Sequence, residues 1–356
     1  MSASVEGRAA GTSVDGRAAG ASVDGRAARG ASVKVRVAEV VRETDDAVSL
    51  VLDAQLPYTP GQFLTVRVPG GAARCYSLAS SPHTGEPMKV TVKRVAGGLG
   101  SGWVCEEVTA GDELEVLPPG GTFTPGDLDR DVVLVAGGSG ITPCMSILKS
   151  VLSAGRGQVA LLYANRDQGS VIFRDELWGL AEAHPGRLAV VHWLESLQGL
   201  PTAGMLGAAL AAYAGRDAYL CGPAPLMDAA EQALRAAGAD AVHREKYFSL
   251  ADDVFDLDPV TVASDGSYTA GVSLDGEEHE VGWAAEVPLL DAMLAAGVDA
   301  PFSCREGACS ACCCRVVSGE VKMLRNDVLD EEDLAEGYVL ACQTVPLSTR
   351  VEIAYD

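Results

Sequence analysis

Cys304, Cys309 and Cys312 stand in the run Cys-Arg-Glu-Gly-Ala-Cys-Ser-Ala-Cys, and Cys342 follows thirty residues later. Thiolate is the soft ligand that iron sulfide clusters accept, and four of them complete two tetrahedral irons, so this spacing fits a plant-type [2Fe-2S] cluster. Gly307, inside the loop, has no Cβ; the backbone can take φ > 0 there and curl its N–H groups toward the cluster sulfurs. Buried free cysteines are often no more than small apolar side chains. Six of the ten cysteines fall between Cys304 and Cys342, a density that reading does not explain. Zinc is the sharper rival, although its sites usually come as two Cys-x-x-Cys hooks rather than one five-residue interval. Cys313 and Cys314 crowd the same loop, and in CCCRVV they read as the start of a strand whose side chains alternate. No histidine falls in the loop, which disfavours a histidine-ligated cluster.

Three further motifs lie upstream. Arg74-Cys75-Tyr76-Ser77 follows the turn-forming Pro69-Gly70-Gly71; an arginine pairs with phosphate, and a tyrosine ring followed by a hydroxyl can lie against a flat heterocycle. The glycine-rich stretch Gly97-Gly98-Leu99-Gly100-Ser101-Gly102-Trp103 reads as a turn opening a helix, where N–H groups and the positive helix end face an anion such as a pyrophosphate. Its bland alternative is a flexible hairpin loop. Together the two motifs favour a dinucleotide flavin. The third, Gly137-Gly138-Ser139-Gly140-Ile141-Thr142-Pro143, is a strand end, a tight glycine turn and a proline placed at the first helical position. It departs from the Gly-x-Gly-x-x-Gly fingerprint, yet a glycine turn at a strand's C-terminal end is where nucleotides dock on open α/β sheets. Cys221-Gly222-Pro223 ends a later strand of that sheet, and a plain strand-terminating turn explains it equally well.

The elements that must position these residues change character along the chain. A nine-residue repeat opens it, with Ser-Val-Glu-Gly-Arg-Ala-Ala from Ser4 and Ser-Val-Asp-Gly-Arg-Ala-Ala from Ser13 and Ser22. Gly, Ala, Ser and Arg bury too little apolar area to offset ordering entropy, so 1–32 is expected to be a disordered tail. From Val33 to Leu117 strand runs such as VKVRVAEVV, AVSLVLD and MKVTVKRV alternate with turns, the pattern of a closed antiparallel barrel, assigned to 33–128. Between Asp131 and Phe248 apolar strands alternate with helical stretches, which predicts a parallel sheet covered on both faces, 129–248. An Asp-rich linker, 249–259, leads to a final α+β segment, 260–356, whose mixed strands, one main helix and long loop suggest a β-grasp.

With 48% hydrophobic residues in 356, two or three cores are expected. No apolar run approaches the roughly 20 residues of a membrane span, and no basic start precedes an apolar stretch as in a secretory signal. A reduced cytoplasmic setting therefore suits the cysteines better than a disulfide framework. The net charge of −22 argues against nucleic acid. From Val260 onward 18 acidic side chains face 5 basic ones, a net −13 that either steers a basic partner or serves solubility.

RCYS, GGSGITP and CGPAPLM, in this order and spacing, resemble the ferredoxin:NADP reductase superfamily, and CREGACSAC resembles its fusion to a C-terminal plant-type ferredoxin. The resemblance runs from Val33 to Asp356. YANRDQGSVIF, VVHWLESLQGLP and DAPFSCREGACSACCC are most similar to the reductase components of 3-ketosteroid 9α-hydroxylases, with phenylacetyl-CoA epoxidase reductases as the rival. It implies FAD held by Arg74, Tyr76 and Ser77, with Gly98, Gly100 and Ser101 at the pyrophosphate. It further implies a nicotinamide between flavin and Gly138, Thr142, Cys221 and Gly222, and Asn165 and Arg166 on the adenosine half. Ser77, Cys221 and Glu245 are then the candidate catalytic residues. Arg166 could pair a 2′-phosphate, whereas Asp167 beside it would repel one, so NADH is expected over NADPH. Cys144 and Cys313 stand where relatives often have other small or polar residues. The function implied is electron transfer from NADH through FAD and the cluster to a terminal oxygenase of Rieske type, by a monomer. Another ring-hydroxylase reductase, or a redox-sensing or scaffold iron–sulfur protein, remains the alternative.

Overall fold

The computed structural model describes residues 32–239, 241–247, 250, 254–255, 267–329 and 331–355. Apart from Ser32, the repetitive tail lies outside these residues, as does most of the linker. In the first third of the chain, apolar residues recurring at the two-residue period build six strands. These are β1 (Val33–Thr44), β2 (Ala47–Asp53), β3 (Phe63–Arg67), β4 (Ala73–Ser77), β5 (Met88–Lys93) and β6 (Glu113–Gly120). One helix, α1 (Leu99–Glu106), crosses between β5 and β6. The order β4-β3-β6-β1-β2-β5 is antiparallel throughout, and a bridge between Leu78 and Val90 joins its two ends into a barrel.

The parallel sheet follows as β7 (Val132–Gly137), β8 (Val159–Asn165), β9 (Leu188–Leu194), β10 (Asp217–Cys221) and β11 (Val242–Glu245), in the order β11-β10-β7-β8-β9. β7 and β8 are buried along their whole length, as strands covered on both faces must be. Helices α2 (Ile141–Ala154), α3 (Arg174–Ala183), α4 (Glu195–Gln198), α5 (Ala203–Leu210) and α6 (Ala224–Ala236) cover them. Pro143 is the third residue of α2 rather than the first, because Gly138–Gly140 form a separate 3₁₀ turn ahead of it. The first turn of a helix leaves its N–H groups unpaired, so proline costs nothing there.

Helix α2 is buried nearly all round because the barrel covers its outer side. Ser146 Oγ donates to the Ser80 carbonyl at 2.6 Å, and the Ser150 and Ser81 hydroxyls meet at 2.7 Å. Lys149, 5% exposed, reaches Glu86 of the barrel at 2.8 Å and Glu176 of α3 at 3.1 Å, while Lys89 pairs Glu176 from the barrel at 3.0 Å. The two lysines hold the Glu176 carboxyl below its usual range against the opposing effect of burial, which is the largest single influence on it.

The third unit contains β12 (Tyr268–Leu274), β13 (Glu277–Trp283), α7 (Leu289–Ala295), β14 (Cys313–Ser318), β15 (Val321–Met323), α8 (Glu331–Ala335), β16 (Tyr338–Leu340), β17 (Thr344–Pro346) and β18 (Arg350–Ala354). Its sheet runs β13-β12-β18-β14-β16 with β12 and β18 parallel, and α7 packs on it through Leu289, Leu290 and Met293. The architecture is thus an antiparallel barrel, a parallel-sheet α/β unit and an α+β grasp, as the sequence pattern predicts. Strand β14 begins at Cys313, with Cys314 buried and Cys313 half-buried, in keeping with alternation.

The ionic network generates a stability prediction. Lys149→Met leaves Glu86 and Glu176 facing each other without their shared cation, and should cost roughly 3 kcal/mol in chemical denaturation. Adding Glu86→Gln and Glu176→Gln should recover much of that loss.

Candidate functional site

Gly98 caps α1, whose start lies against β4, and a cavity of about 210 Å³ opens between them. Arg74, Tyr76, Ser77, Gly98, Gly100 and Ser101 line it from the barrel, and Ser139, Thr142 and Tyr247 line it from the nucleotide side. It runs through Lys93, Val95 and Gly98 into an outer groove of about 960 Å³ that Trp103 and Arg166 also border. The Tyr76 hydroxyl is buried without a hydrogen-bond partner, a polar atom left for a ligand to satisfy. A Cβ on Gly100 would stand 2.9 Å from Arg74 Cγ and 3.2 Å from the Tyr76 hydroxyl, so the floor of the cavity exists only because that side chain is absent. A cleft of this shape, edged by a helix start and an arginine, suits a flat ring bearing a pyrophosphate. Arg74 itself donates to the carbonyls of Ala73 and Leu250, and Ser101 Oγ accepts from Val95 N at 3.0 Å.

The parallel sheet presents its own residues at the same mouth. Gly138 takes φ +54°, which turns the chain out of β7 and into the 3₁₀ turn. Its neighbour Gly140 leaves no room for a Cβ, which would meet the Cys221 carbonyl, so α2 begins directly against the end of β10. Thr142, 2% exposed, donates to the Ser139 carbonyl at 3.0 Å and shares a 2.9 Å hydrogen bond with Tyr247. β11 pairs Glu245 opposite Cys221. Burial raises the Cys221 thiol, with Cys144 and Glu245 beside it adding to the rise, and burial pushes the Glu245 carboxyl up to about 8. Glu245 also lifts the Cys75 thiol of the barrel, though burial is the main reason that thiol stands at about 12. Ser77, Cys221 and Glu245 are therefore gathered at one junction.

Reading the sequence alone misses Tyr247. The residue is 46% exposed, with its hydroxyl 2.9 Å from both Thr142 Oγ1 and the Ser139 carbonyl. Its only sequence signal is an aromatic two residues past Glu245, and it reads as a site residue once β11 is known to end there. Asn165 is 3% exposed with neither side-chain polar atom partnered, whereas Arg166 swings across the groove to Asp46 at 3.2 Å. These two neighbours thus face different surroundings.

In the third unit Cys304, Cys309, Cys312 and Cys342 are buried together. The N–H groups of Glu306 and Ala308 donate to Cys304 Sγ at 3.3 and 3.4 Å, and the N–H of Cys342 donates to Cys312 Sγ at 3.5 Å. Gly307, at φ +75°, lets the loop curl this way, and a Cβ there would meet the Arg325 carbonyl at 2.9 Å. A sulfur that collects donors is poised as thiolate, the form iron binds. Among the described residues no group of three or more His, Cys, Asp or Glu side chains surrounds one point as a single metal ion requires. Cys304, Cys309 and Cys312 on one curled loop, with Cys342 beside them, supply the four thiolates that complete two tetrahedral irons.

The cysteine loop docks on the barrel. Cys304, Ala308 and Cys309 share an apolar cluster with Phe63, Ala73 and Leu117, and with Leu250 and Val254 of the linker. The Thr65 and Ser303 hydroxyls are hydrogen-bonded across the contact, Cys75 Sγ lies 3.9 Å from Ser303 Oγ, and Thr122 donates to Ser310 at 2.9 Å. Cys75 thus touches the cysteine loop from the strand that lines the cavity.

A flavin cleft, a nucleotide sheet and a cysteine loop on one barrel define a three-module oxidoreductase. Family profiles agree: an oxidoreductase FAD-binding domain matches residues 34–124, an oxidoreductase NAD-binding domain 134–232, and a 2Fe-2S iron-sulfur cluster binding domain 272–347. The chain belongs to the ferredoxin reductase superfamily, in the branch that carries a C-terminal plant-type [2Fe-2S] domain. It is 52% identical over 344 residues to the 3-ketosteroid-9-alpha-monooxygenase ferredoxin reductase component of Mycolicibacterium smegmatis, covering 91% of this chain and 97% of that one. A component of the 1,2-phenylacetyl-CoA epoxidase of Escherichia coli is 35% identical, covering 90% of this chain and 96% of that one. Among solved structures, phthalate dioxygenase reductase superposes with a TM-score of 0.55 at 25% identity, covering 91% of this chain and 98% of that one. Its FAD, NAD and [2Fe-2S] domains make the protein an NAD(P)H-linked flavin iron–sulfur oxidoreductase that serves as a reductase component. Among the described residues no helix is long and apolar enough to cross a membrane.

The Glu245 carboxyl gives the site a pH signature. Its folded value, about 8, lies above the ordinary 4.5, so the fold keeps a proton that the unfolded chain releases. Stability should therefore fall as pH rises from about 4.5 to about 8 and level off above that. Glu245→Gln should flatten this slope in a pH series of melting temperatures, and a pH-independent difference between the two proteins would show an ordinarily solvated carboxyl.

Proposed function

We propose that the chain is the NADH-dependent reductase component of a 3-ketosteroid 9α-hydroxylase, a cytoplasmic monomer that passes electrons to a separate terminal oxygenase of the Rieske type. The observation that carries the reading is the cysteine loop docked on β3 and β4, directly behind the strand that lines the flavin cavity. The identity to the M. smegmatis component, nearly end to end, supports the choice of system. Bound here, FAD would supply the conversion of a two-electron hydride from NADH into single electrons for the [2Fe-2S] cluster.

The chain's own residues bind, align and shield. Arg74 would pair the flavin phosphates, Tyr76 would face the ring with its unpartnered hydroxyl open to a ligand, and Ser77 would border the ring edge. Gly98, Gly100 and Ser101 bring the start of α1 to the pyrophosphate. Gly138, Thr142, Cys221 and Gly222 form the platform for the nicotinamide, and Tyr247 covers that platform from outside. Asn165 and Arg166 serve the adenosine half. Glu245, half-buried and paired opposite Cys221, keeps a proton at that junction. Cys304, Cys309, Cys312 and Cys342 hold the cluster. The domain limits proposed are 33–128 for FAD, 129–248 for the nucleotide, 249–259 for the linker and 260–356 for the cluster.

Anaerobic titration with NADH should bleach flavin and cluster absorption together, and the purified oxygenase should then turn over 3-ketosteroid. Turnover only with a phenylacetyl-CoA epoxidase would reassign the system. Cys342→Ser should lose iron and acid-labile sulfide yet keep its flavin and its NADH–ferricyanide activity. Gly100→Ala should be purified with well under half the wild-type flavin content, read from the absorbance ratio at 450 and 280 nm.

A further inference from the structure

The outer groove is lined by the cations Lys93, Arg94 and Arg166, a set that attracts phosphate-bearing ligands. Each is matched to a carboxylate: Arg94 to Glu106 at 2.9 Å, and both Lys93, at 3.8 Å, and Arg166, at 3.2 Å, to the same Oδ2 of Asp46. Asp46 sits in the turn between β1 and β2, where Thr44 Oγ1 donates to its other oxygen at 2.9 Å. One carboxylate of the barrel therefore neutralises a cation of its own module and one of the nucleotide module. Asp167, the acid adjacent to Arg166 in sequence, is turned elsewhere, its Oδ1 accepting from Ser170 N at 3.0 Å to cap the following turn. The charge that Arg166 presents to a ligand is thus set by a residue 120 positions earlier, not by its neighbour.

In open α/β sheets an arginine near the strand ends is the group that accommodates the 2′-phosphate distinguishing NADPH from NADH. We propose that Asp46 is a specificity-determining residue that disfavours 2′-phosphorylated nucleotides by occupying and neutralising Arg166. The inference rests on the NADH reading above and supplies its physical cause. A 2′-phosphate must share Arg166 with Asp46 or displace it, and in either case lies beside the Asp46 carboxylate. NADH makes no such demand.

The test uses the full-length, flavin- and cluster-loaded protein. Asp46→Asn keeps the acceptor Thr44 needs while removing the charge, and Arg166→Ala and the double variant complete a cycle. Calorimetric affinities for 2′-AMP and 5′-AMP are measured together with kcat/KM for NADPH and NADH. Asp46→Asn should raise 2′-AMP affinity and the NADPH-to-NADH ratio roughly fivefold, as for a partly exposed ion pair, and about 0.5 M salt should shrink the gain. The gain should vanish when Arg166 is also replaced. An equal gain for 2′-AMP and 5′-AMP, or none for either, overturns the role of Asp46. A wild-type protein that prefers NADPH would instead overturn the NADH reading, and the comparison of variants stays readable either way.

Discussion

The contact between the cysteine loop and the outer face of β3, β4 and β6 is the constraint on which the rest of the structure depends. A strand is one residue thick, and its side chains leave alternately on either side. Arg74 and Tyr76 line the flavin cleft, while Cys75 between them meets Ser303, the residue before Cys304. The wall that binds one redox group is therefore also the dock for the other. Placing the loop anywhere else would separate the two sites by at least a layer of protein.

The two neighbours of the barrel are attached by different physics. The nucleotide sheet is held through α2 and α3 by buried serines and by the Lys149 and Lys89 pairs, interactions that demand one geometry. The iron–sulfur unit is held by an apolar cluster with a few hydroxyl pairs set into it. Hydrophobic contact supplies adhesion without direction, and the Thr65–Ser303 and Thr122–Ser310 pairs supply the register.

Much of this is legible in the sequence, and for local reasons. The cysteine spacing, the strand CCCRVV and the glycine turn before α1 depend on neighbours within a few residues, so their chemistry is written in order along the chain. Tertiary pairings are not. Thr65 and Ser303 are 238 positions apart, and nothing at either position marks it as an interface residue. Asp167 reads as the acid facing a nucleotide because it adjoins Arg166, whereas a free N–H at the start of a turn claims its side chain. Tyr247 cannot be placed until the pairing of β11 with β10 fixes where its strand ends. Pro143 falls two residues late because a 3₁₀ turn intervenes, a difference of hydrogen-bond register that composition does not encode.

The docking patch also bears on how such a protein can be divided. Phe63, Ala73 and Leu117 of the barrel are buried in one cluster with the cysteine loop and with Leu250 and Val254. A shortened chain ending after β11 would uncover all three side by side, next to the lip of the flavin cleft. Such a fragment would carry a sticky patch, prone to self-association, where the whole protein has an internal seam. Modularity in the order of the domains therefore does not amount to independence of their surfaces.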